Sequence, residues 1–251
     1  MRIVVLGGTG LIGARVVDLL RDAGHEVVSA SPRSGVNAMT GDGLAEAVAG
    51  AEVLIDAIDA PSSDGAAVLD FFVAVARNLI AAEAAGGVRH HVALSVVGLD
   101  RLQDSVYFRA KAAQEALIRA SKTPFTVVRS TQFFELIERL LDTQSNADVV
   151  RLPPAQMQPL ASDELAEVIA DIALREPQNR VLEVAGPEPV WFDELARQIL
   201  SAREDPRDVV ADARSRYFGA ELGSQSLMPG TSPRLCQSSV RDWLRQLIPA
   251  G

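Results

Sequence analysis

The chain has 251 residues and a mass of 26.8 kDa, with 48% hydrophobic and 5% aromatic residues, which suits one large domain or a domain carrying a small lobe. A net charge of −9 and a pI near 4.9 argue against a nucleic-acid surface, which needs clustered Lys and Arg to neutralise phosphates, although a local basic pocket for one small phosphorylated ligand remains compatible. The single cysteine, Cys236, excludes an intramolecular disulfide and fits a reducing cytoplasm.

The opening MRIVVLGGTG has an apolar run of four residues that leads straight into a glycine turn, unlike a signal peptide. No run approaches the ~18 apolar residues of a spanning helix. The expectation is a soluble, cytoplasmic protein with a small-molecule substrate and no membrane or nucleic-acid partner, either a monomer or a homodimer.

In chain order, RIVVL (2–6) reads as a buried strand, and 11–23 as a helix with Leu11, Ala14, Val17 and Leu20 on one face. HEVVSA (25–30) is a second strand, Asn37–Thr40 a short third, and GLAEAVAG (43–50) a brief helix. AEVLIDAI (51–58) is a strand, and 65–87 a long helix closed by Gly86-Gly87. Strand 88–98, helix 105–121 and strand 125–130 follow, the last introduced by Pro124. Strands alternating with helices imply a parallel sheet covered on both faces.

Further on, 131–142 and 192–202 read as helices and 147–154 as a strand running into a loop. A helix at 162–174 has Ser162 as its N-cap, and 180–186 is a strand. Residues 203–238 are loop-rich and end in an amphipathic helix at 238–248. The expected architecture is a single α/β unit, with a dinucleotide-binding core over 1–150 and mainly a small loop-rich C-terminal substrate lobe over 151–251, some of whose elements return to the core.

VVLGGTGLIGARVV sets Gly7, Gly10 and Gly13 at three-residue spacing between a strand and a helix. The first glycine permits the turn, the second a close backbone approach to a pyrophosphate, and the third close helix packing. The helix N-terminus then offers unpaired N–H groups and partial positive charge to the anion. Gly7, Gly8, Thr9, Gly10, Leu11, Ile12 and Gly13 are therefore the expected dinucleotide contacts.

A cofactor with a free ribose 2′-OH is usually met by Asp or Glu about twenty residues past the turn. Here the second strand ends in SASPRSG, with no carboxylate between Val27 and Ala38. Arg33 suits a 2′-phosphate, with Ser31 and Ser34 donating hydrogen bonds, so NADP(H) is favoured over NAD(H). Asp42, in GDGL, is placed to meet the adenine edge.

Tyr107 and Lys111 stand four apart on one helix and share a face. A phenol titrates near 10, and a neighbouring ammonium favours the phenolate, which brings tyrosine into range for acid–base work. Ser95 closes the preceding strand, at the carboxyl edge of the sheet where ligands of such folds bind. His25, His90 and His91 have no metal-ligand spacing, and no metal is expected.

GGTGLIG (7–13), LSVVGLD (94–100), YFRAK (107–111), VVRSTQFFE (127–135), QPLASDELAEVIADIAL (158–174) and EVAGPE (183–188) together resemble the atypical, NmrA-like branch of the short-chain dehydrogenase/reductase superfamily. The resemblance covers nearly the whole chain and implies a Rossmann-type doubly wound parallel sheet. It implies Tyr107 as proton donor, Lys111 as ribose-binding tuner of that tyrosine, and Ser95 as the hydroxyl that orients a carbonyl. It adds Asn78 as a fourth candidate, and places Arg129, Ser130 and Thr131 near the nicotinamide. Two functions fit: an NADPH-dependent reductase of a small carbonyl or quinone-like substrate, and a non-catalytic sensor of nucleotide state. An isomerase or epimerase is a weaker third.

Overall fold

Strand β1 (Arg2–Leu6) lies between β2 (Glu26–Ala30) and β3 (Val53–Asp56) in a computed structural model that describes residues 1–61, 65, 67–143 and 148–247. All of β1 beyond Arg2 is buried, and β3 is buried throughout, which is why both read as continuous apolar runs rather than alternating ones. With β4 (His90–Val96), β5 (Phe125–Ser130), β8 (Arg180–Ala185) and β11 (Arg234–Leu235) they form a seven-stranded sheet of order β11-β8-β5-β4-β3-β1-β2. The pairs β1–β2, β1–β3, β3–β4 and β8–β11 are parallel. β2 is the edge, and only Ala30 of its five residues is fully buried.

The chain divides into two compact units. The first comprises Met1–Ser95, Val106–Arg129 and Leu165–Leu182. It contains α1 (Leu11–Asp22), α2 (Leu44–Val48), α3 (Ala67–Gly86), α4 (Val106–Ala120) and most of α6 (Ser162–Ala173). Helix α1 buries Ile12, Gly13, Val16, Val17 and Leu20, a stripe one residue round from the expected face at its N-terminal end. Helix α3 buries Val68, Phe72, Val75, Ala76 and Leu79 at helical spacing, and the stripe ends on a carboxylate, Glu83.

Glu83 and His91 are both fully buried and lie 2.6 Å apart. Burial opposes a charged imidazole, but the Glu83 charge and hydrogen bond, helped by Asp56, outweigh it and raise the His91 pKa. Its neighbour behaves oppositely. His90 is lowered to about 4 by burial and by the charge of His91, and it contacts Thr126 Oγ1 at 2.9 Å. Adjacent residues of a strand face opposite sides of the sheet, so the two histidines meet different chemistry.

The second unit comprises Val96–Ser105, Ser130–Glu164 and Glu183–Gly251. Its regular elements are α5 (Phe134–Thr143), β6 (Val149–Leu152), β7 (Gln156–Met157), β9 (Val190–Trp191), α7 (Phe192–Ala202), β10 (Asp208–Ala211) and α8 (Val240–Leu247). β6 pairs in parallel with β10, and β7 antiparallel with β9. Phe134 stacks on Trp243 with centroids 4.6 Å apart, and the buried Tyr217 packs edge-on against Phe192 and Phe218.

Several expectations differ. Asn37–Thr40 is a turn, because Asn37 Oδ1 accepts the Met39 and Thr40 N–H groups at 3.0 and 3.4 Å, a local alternative to a strand ladder. Ser162 is the first residue of α6 rather than its cap, and its hydroxyl donates to Glu135. Of the expected elements, Ala66, Ala147 and Ile248 lie outside the described residues. Among the described residues no helix is long and apolar enough to cross a membrane, and no group of three metal-ligating side chains occurs.

Candidate dinucleotide and proton-donor site

The chain runs from β1 to β2 on one side and then crosses back to place β3 on the other. Such a reversal opens a crevice at the carboxyl ends of the strands, where ligands of open α/β sheets bind. The glycine turn follows β1, and the segment 57–60 follows β3, so both lie at this crevice.

Gly7 has φ of +72°, and a Cβ there would meet Ala57 O at 2.6 Å. The Gly7 N–H donates to Ala30 O at 3.0 Å and its carbonyl accepts from Gly10 N at 2.9 Å. A Cβ on Gly13 would sit 2.2 Å from Gly7 O and 2.8 Å from Gly7 C. Helix α1 begins at Leu11 with Gly10 as N-cap, no side-chain cap and no acidic residue in its first turn. Its first N–H groups are thus left for an anion. Thr9 and Gly10 are exposed, Leu11 is half-buried and Gly8, Ile12 and Gly13 are buried. This cradle fits a pyrophosphate.

Gly13→Ala is the direct check on that cradle. The new methyl meets the backbone of Gly7 and Gly8, so α1 has to move off the turn. NADPH affinity should fall at least roughly tenfold, or about 1.4 kcal/mol, in a fluorescence titration. Unchanged affinity would place the dinucleotide elsewhere.

Past β2 the backbone makes a single 3₁₀ turn, Pro32–Ser34. Ser31 is buried, and Ser34 Oγ accepts its N–H at 2.9 Å. Arg33 is exposed and makes no hydrogen bond or ion pair to another described residue. Asp42 is exposed and accepts from Thr40 Oγ1 at 2.6 Å. Asn78, offered by resemblance as a fourth catalytic member, instead donates to the carbonyls of Ala38 and Met39, both at 2.9 Å. It supports the loop beyond β2.

The three catalytic candidates, Tyr107, Lys111 and Ser95, are all in the first unit but are differently engaged. Tyr107 is half-buried, and its hydroxyl donates to Asp59 Oδ1 at 3.1 Å. Lys111 is 3% exposed and donates to Leu94 O at 2.9 Å and Gln114 Oε1 at 2.6 Å. Its ammonium also lies 4.7 Å from the centroid of Phe72, against which Tyr107 packs edge-on. Burial lowers the Lys111 pKa, opposed by the charges of Asp56, Asp59 and Glu115. Ser95 donates to Glu115, whose carboxylate grips Arg129 in a fork: Nε to Oε1 at 2.9 Å and Nη2 to Oε2 at 2.7 Å. Ser130 is buried, and its carbonyl accepts from Val97 N at 2.9 Å.

Asp56, Asp59, Gln114 and Glu115 did not emerge from the sequence reading. Gln114 links Lys111 to Asp56, donating to Oδ2 at 2.8 Å. A signal for two of them exists, because Tyr107, Lys111 and Glu115 continue a four-residue spacing and Gln114 falls three after Lys111.

Comparison with protein families decides the assignment. Residues 7–176 match the model of the NAD(P)H-binding family. The chain belongs to that family. Its fold agrees with that of solved proteins of the short-chain dehydrogenase/reductase type. It superposes on the dTDP-4-dehydrorhamnose reductase of Bacillus anthracis, in complex with NADP, with a TM-score of 0.72 at 13% identity, over 98% of this chain and 96% of that one. A short-chain dehydrogenase/reductase superfamily protein of Agrobacterium tumefaciens with bound NAD gives 0.69 at 18%, over 98% and 96%. A UDP-galactose 4-epimerase gives 0.70 at 21%, over 98% and 97%. No curated protein matches. The matched span begins at Gly7, the first glycine of the cradle.

Proposed function

We propose that this NAD(P)H-binding protein is an NADP(H)-dependent oxidoreductase that reduces a small carbonyl or quinone-like substrate, with Tyr107 as the proton donor. One observation carries the reading. Tyr107 presents its hydroxyl, as a hydrogen-bond donor, to Asp59 on the segment whose first residue, Ala57, packs on Gly7 of the dinucleotide turn. A proton donor and a cofactor cradle are therefore tied to the same short stretch of backbone.

The bound dinucleotide supplies a hydride. Tyr107 gives its phenolic proton to the oxygen that gains charge. Gly7 to Gly13 hold the pyrophosphate through backbone N–H groups. Arg33, with Ser31 and Ser34, receives the 2′-phosphate, and Asp42 meets the adenine side. The family resemblance assigns Lys111, Arg129 and Ser130 to the ribose and nicotinamide. That NADP- and NAD-bound enzymes share this fold supports oxidoreductase chemistry.

A second reading has its own support. Ser95 gives its hydroxyl to Glu115 and Lys111 is turned inward, as expected of a protein that binds the dinucleotide and senses its redox state without turning it over. A screen of NADPH consumption across aldehydes, ketones and quinones separates the two. The reductase consumes NADPH with at least one class, whereas the sensor consumes none and binds NADP⁺ and NADPH with different affinities.

Arg33→Ala tests the cofactor choice. Losing an unpaired guanidinium that meets a phosphate should raise the NADPH Kd by roughly 10- to 100-fold and leave NADH within about twofold. If the preference between the two is unchanged, NADP(H) is the wrong assignment.

A further inference from the structure

A lysine four residues after a tyrosine is expected to set that tyrosine's acidity. Helix α4 carries the pair, but its ammonium is used elsewhere: Lys111 Nζ donates to Leu94 O and Gln114 Oε1 and faces the Phe72 ring. It makes no hydrogen bond to Tyr107. Among the described residues, the Tyr107 hydroxyl donates to a carboxylate, Asp59 Oδ1, at 3.1 Å.

Asp59 is exposed and lies three residues after the end of β3. The preceding backbone at Ala57 and Ile58 is packed on Gly7, and Ile58 N donates to Asp56 Oδ1 at 3.1 Å. The segment is thereby fixed at its start, while at its end Ala60, like Tyr107, packs against the cluster of Val68, Phe72 and Ala110. Asp59 is held where it meets the phenol by a segment that also walls the dinucleotide turn.

We propose that Asp59 is the positioning residue of Tyr107: its carboxylate aims the hydroxyl and holds it proton-loaded, the position of control that sequence spacing assigns to Lys111. This rests on the reading of Tyr107 as proton donor. In the reductive step the Tyr107 O–H bond breaks and its proton forms an O–H bond on the substrate oxygen, whose carbon has taken hydride from NADPH. The phenolate left behind stands beside a negative charge, which disfavours it, so it recovers a proton from water and the donor is reset. Among the described residues, the charged groups that act here include Asp59 from the segment after β3, Lys111 from α4, and Asp56 and Glu115, which with Asp59 act on Lys111. Helix α3 presents the uncharged Phe72.

The chain suits a direct measurement because it has two tyrosines. Tyr217 is 1% exposed, and burial raises its pKa, a hydrogen bond to Gln132 notwithstanding. Phenolate absorbance followed against pH in the intact chain therefore reports Tyr107 first. In Asp59→Asn the phenolate should appear at lower pH by about 1 unit, and Asp59→Glu should return it to within about 0.3 unit of wild type. Thermal melting checks that both exposed-site variants fold.

An unmoved midpoint in Asp59→Asn overturns the proposal whatever the turnover of the protein. A downward shift sustains it even where wild type consumes no NADPH, in which case the reductase reading alone falls.

Discussion

Replacing Tyr107 with Phe should lower kcat by about 10²- to 10⁴-fold, the usual contribution of one positioned acid–base group, or about 3–5 kcal/mol of barrier. The substitution is clean because the ring stays. Tyr107 packs edge-on against Phe72 at 6.0 Å and Phe108 at 5.6 Å, and a phenylalanine keeps both contacts. What goes is the hydroxyl and its solvent-exposed bond to Asp59, worth about 0.5–1.5 kcal/mol of stability at most. NADPH affinity should stay within about twofold, since the glycine cradle is built by β1, α1 and the segment after β3. Single-turnover NADPH oxidation with an acceptor found in the screen measures the effect. Retention of more than roughly a tenth of the wild-type rate would move the proton donor to another group. Equal loss of cofactor binding would mean that the hydroxyl shapes the cradle instead.

The strands and helices of the first unit were legible because strands buried on both faces leave unbroken apolar runs, as in RIVVL and VLID, and because Gly86 and Gly87 close α3. Asn37–Thr40 misled: the segment is a turn, because the Asn37 side chain satisfies two backbone N–H groups locally. For the site, spacing identifies which residues share a helix face and says nothing about where that face points. Tyr107 and Lys111 do share one, yet only Tyr107 reaches a half-exposed position, while Lys111 joins Phe108, Ala110, Gln114, Glu115 and Ile118 among the buried residues of α4. A sequence shows no acceptors, and it was the carbonyl of Leu94 and the amide of Gln114 that drew the ammonium inward. Asp59 lay beyond reach for the same reason: 48 residues separate it from Tyr107, and only the return of the chain past the glycine turn brings them together.

Glu115 is where the largest loss of stability is expected. Its side chain is 4% exposed and that of Arg129 12%, so the guanidinium fork is largely out of water and its charge is balanced by this carboxylate. Glu115→Ala takes the carboxylate of the fork away from the buried Arg129 guanidinium and removes the acceptor of the Ser95 hydroxyl. Breaking a buried pair from one side costs about 3–5 kcal/mol, which for a chain of this size lowers Tm by roughly 6–20 °C. Removing both charges is a different perturbation: Glu115→Leu with Arg129→Leu should recover much of the loss, because apolar replacement of a whole buried pair is often near neutral. Urea melts of the three proteins decide it. If Glu115→Ala costs under about 1 kcal/mol, or the double variant is worse than the single one, the pair is solvated or its polarity is needed in itself. Recovery in the double variant with activity intact would show that Ser95 and Arg129 serve the fold, and would leave Tyr107 and Asp59 to carry the proton chemistry.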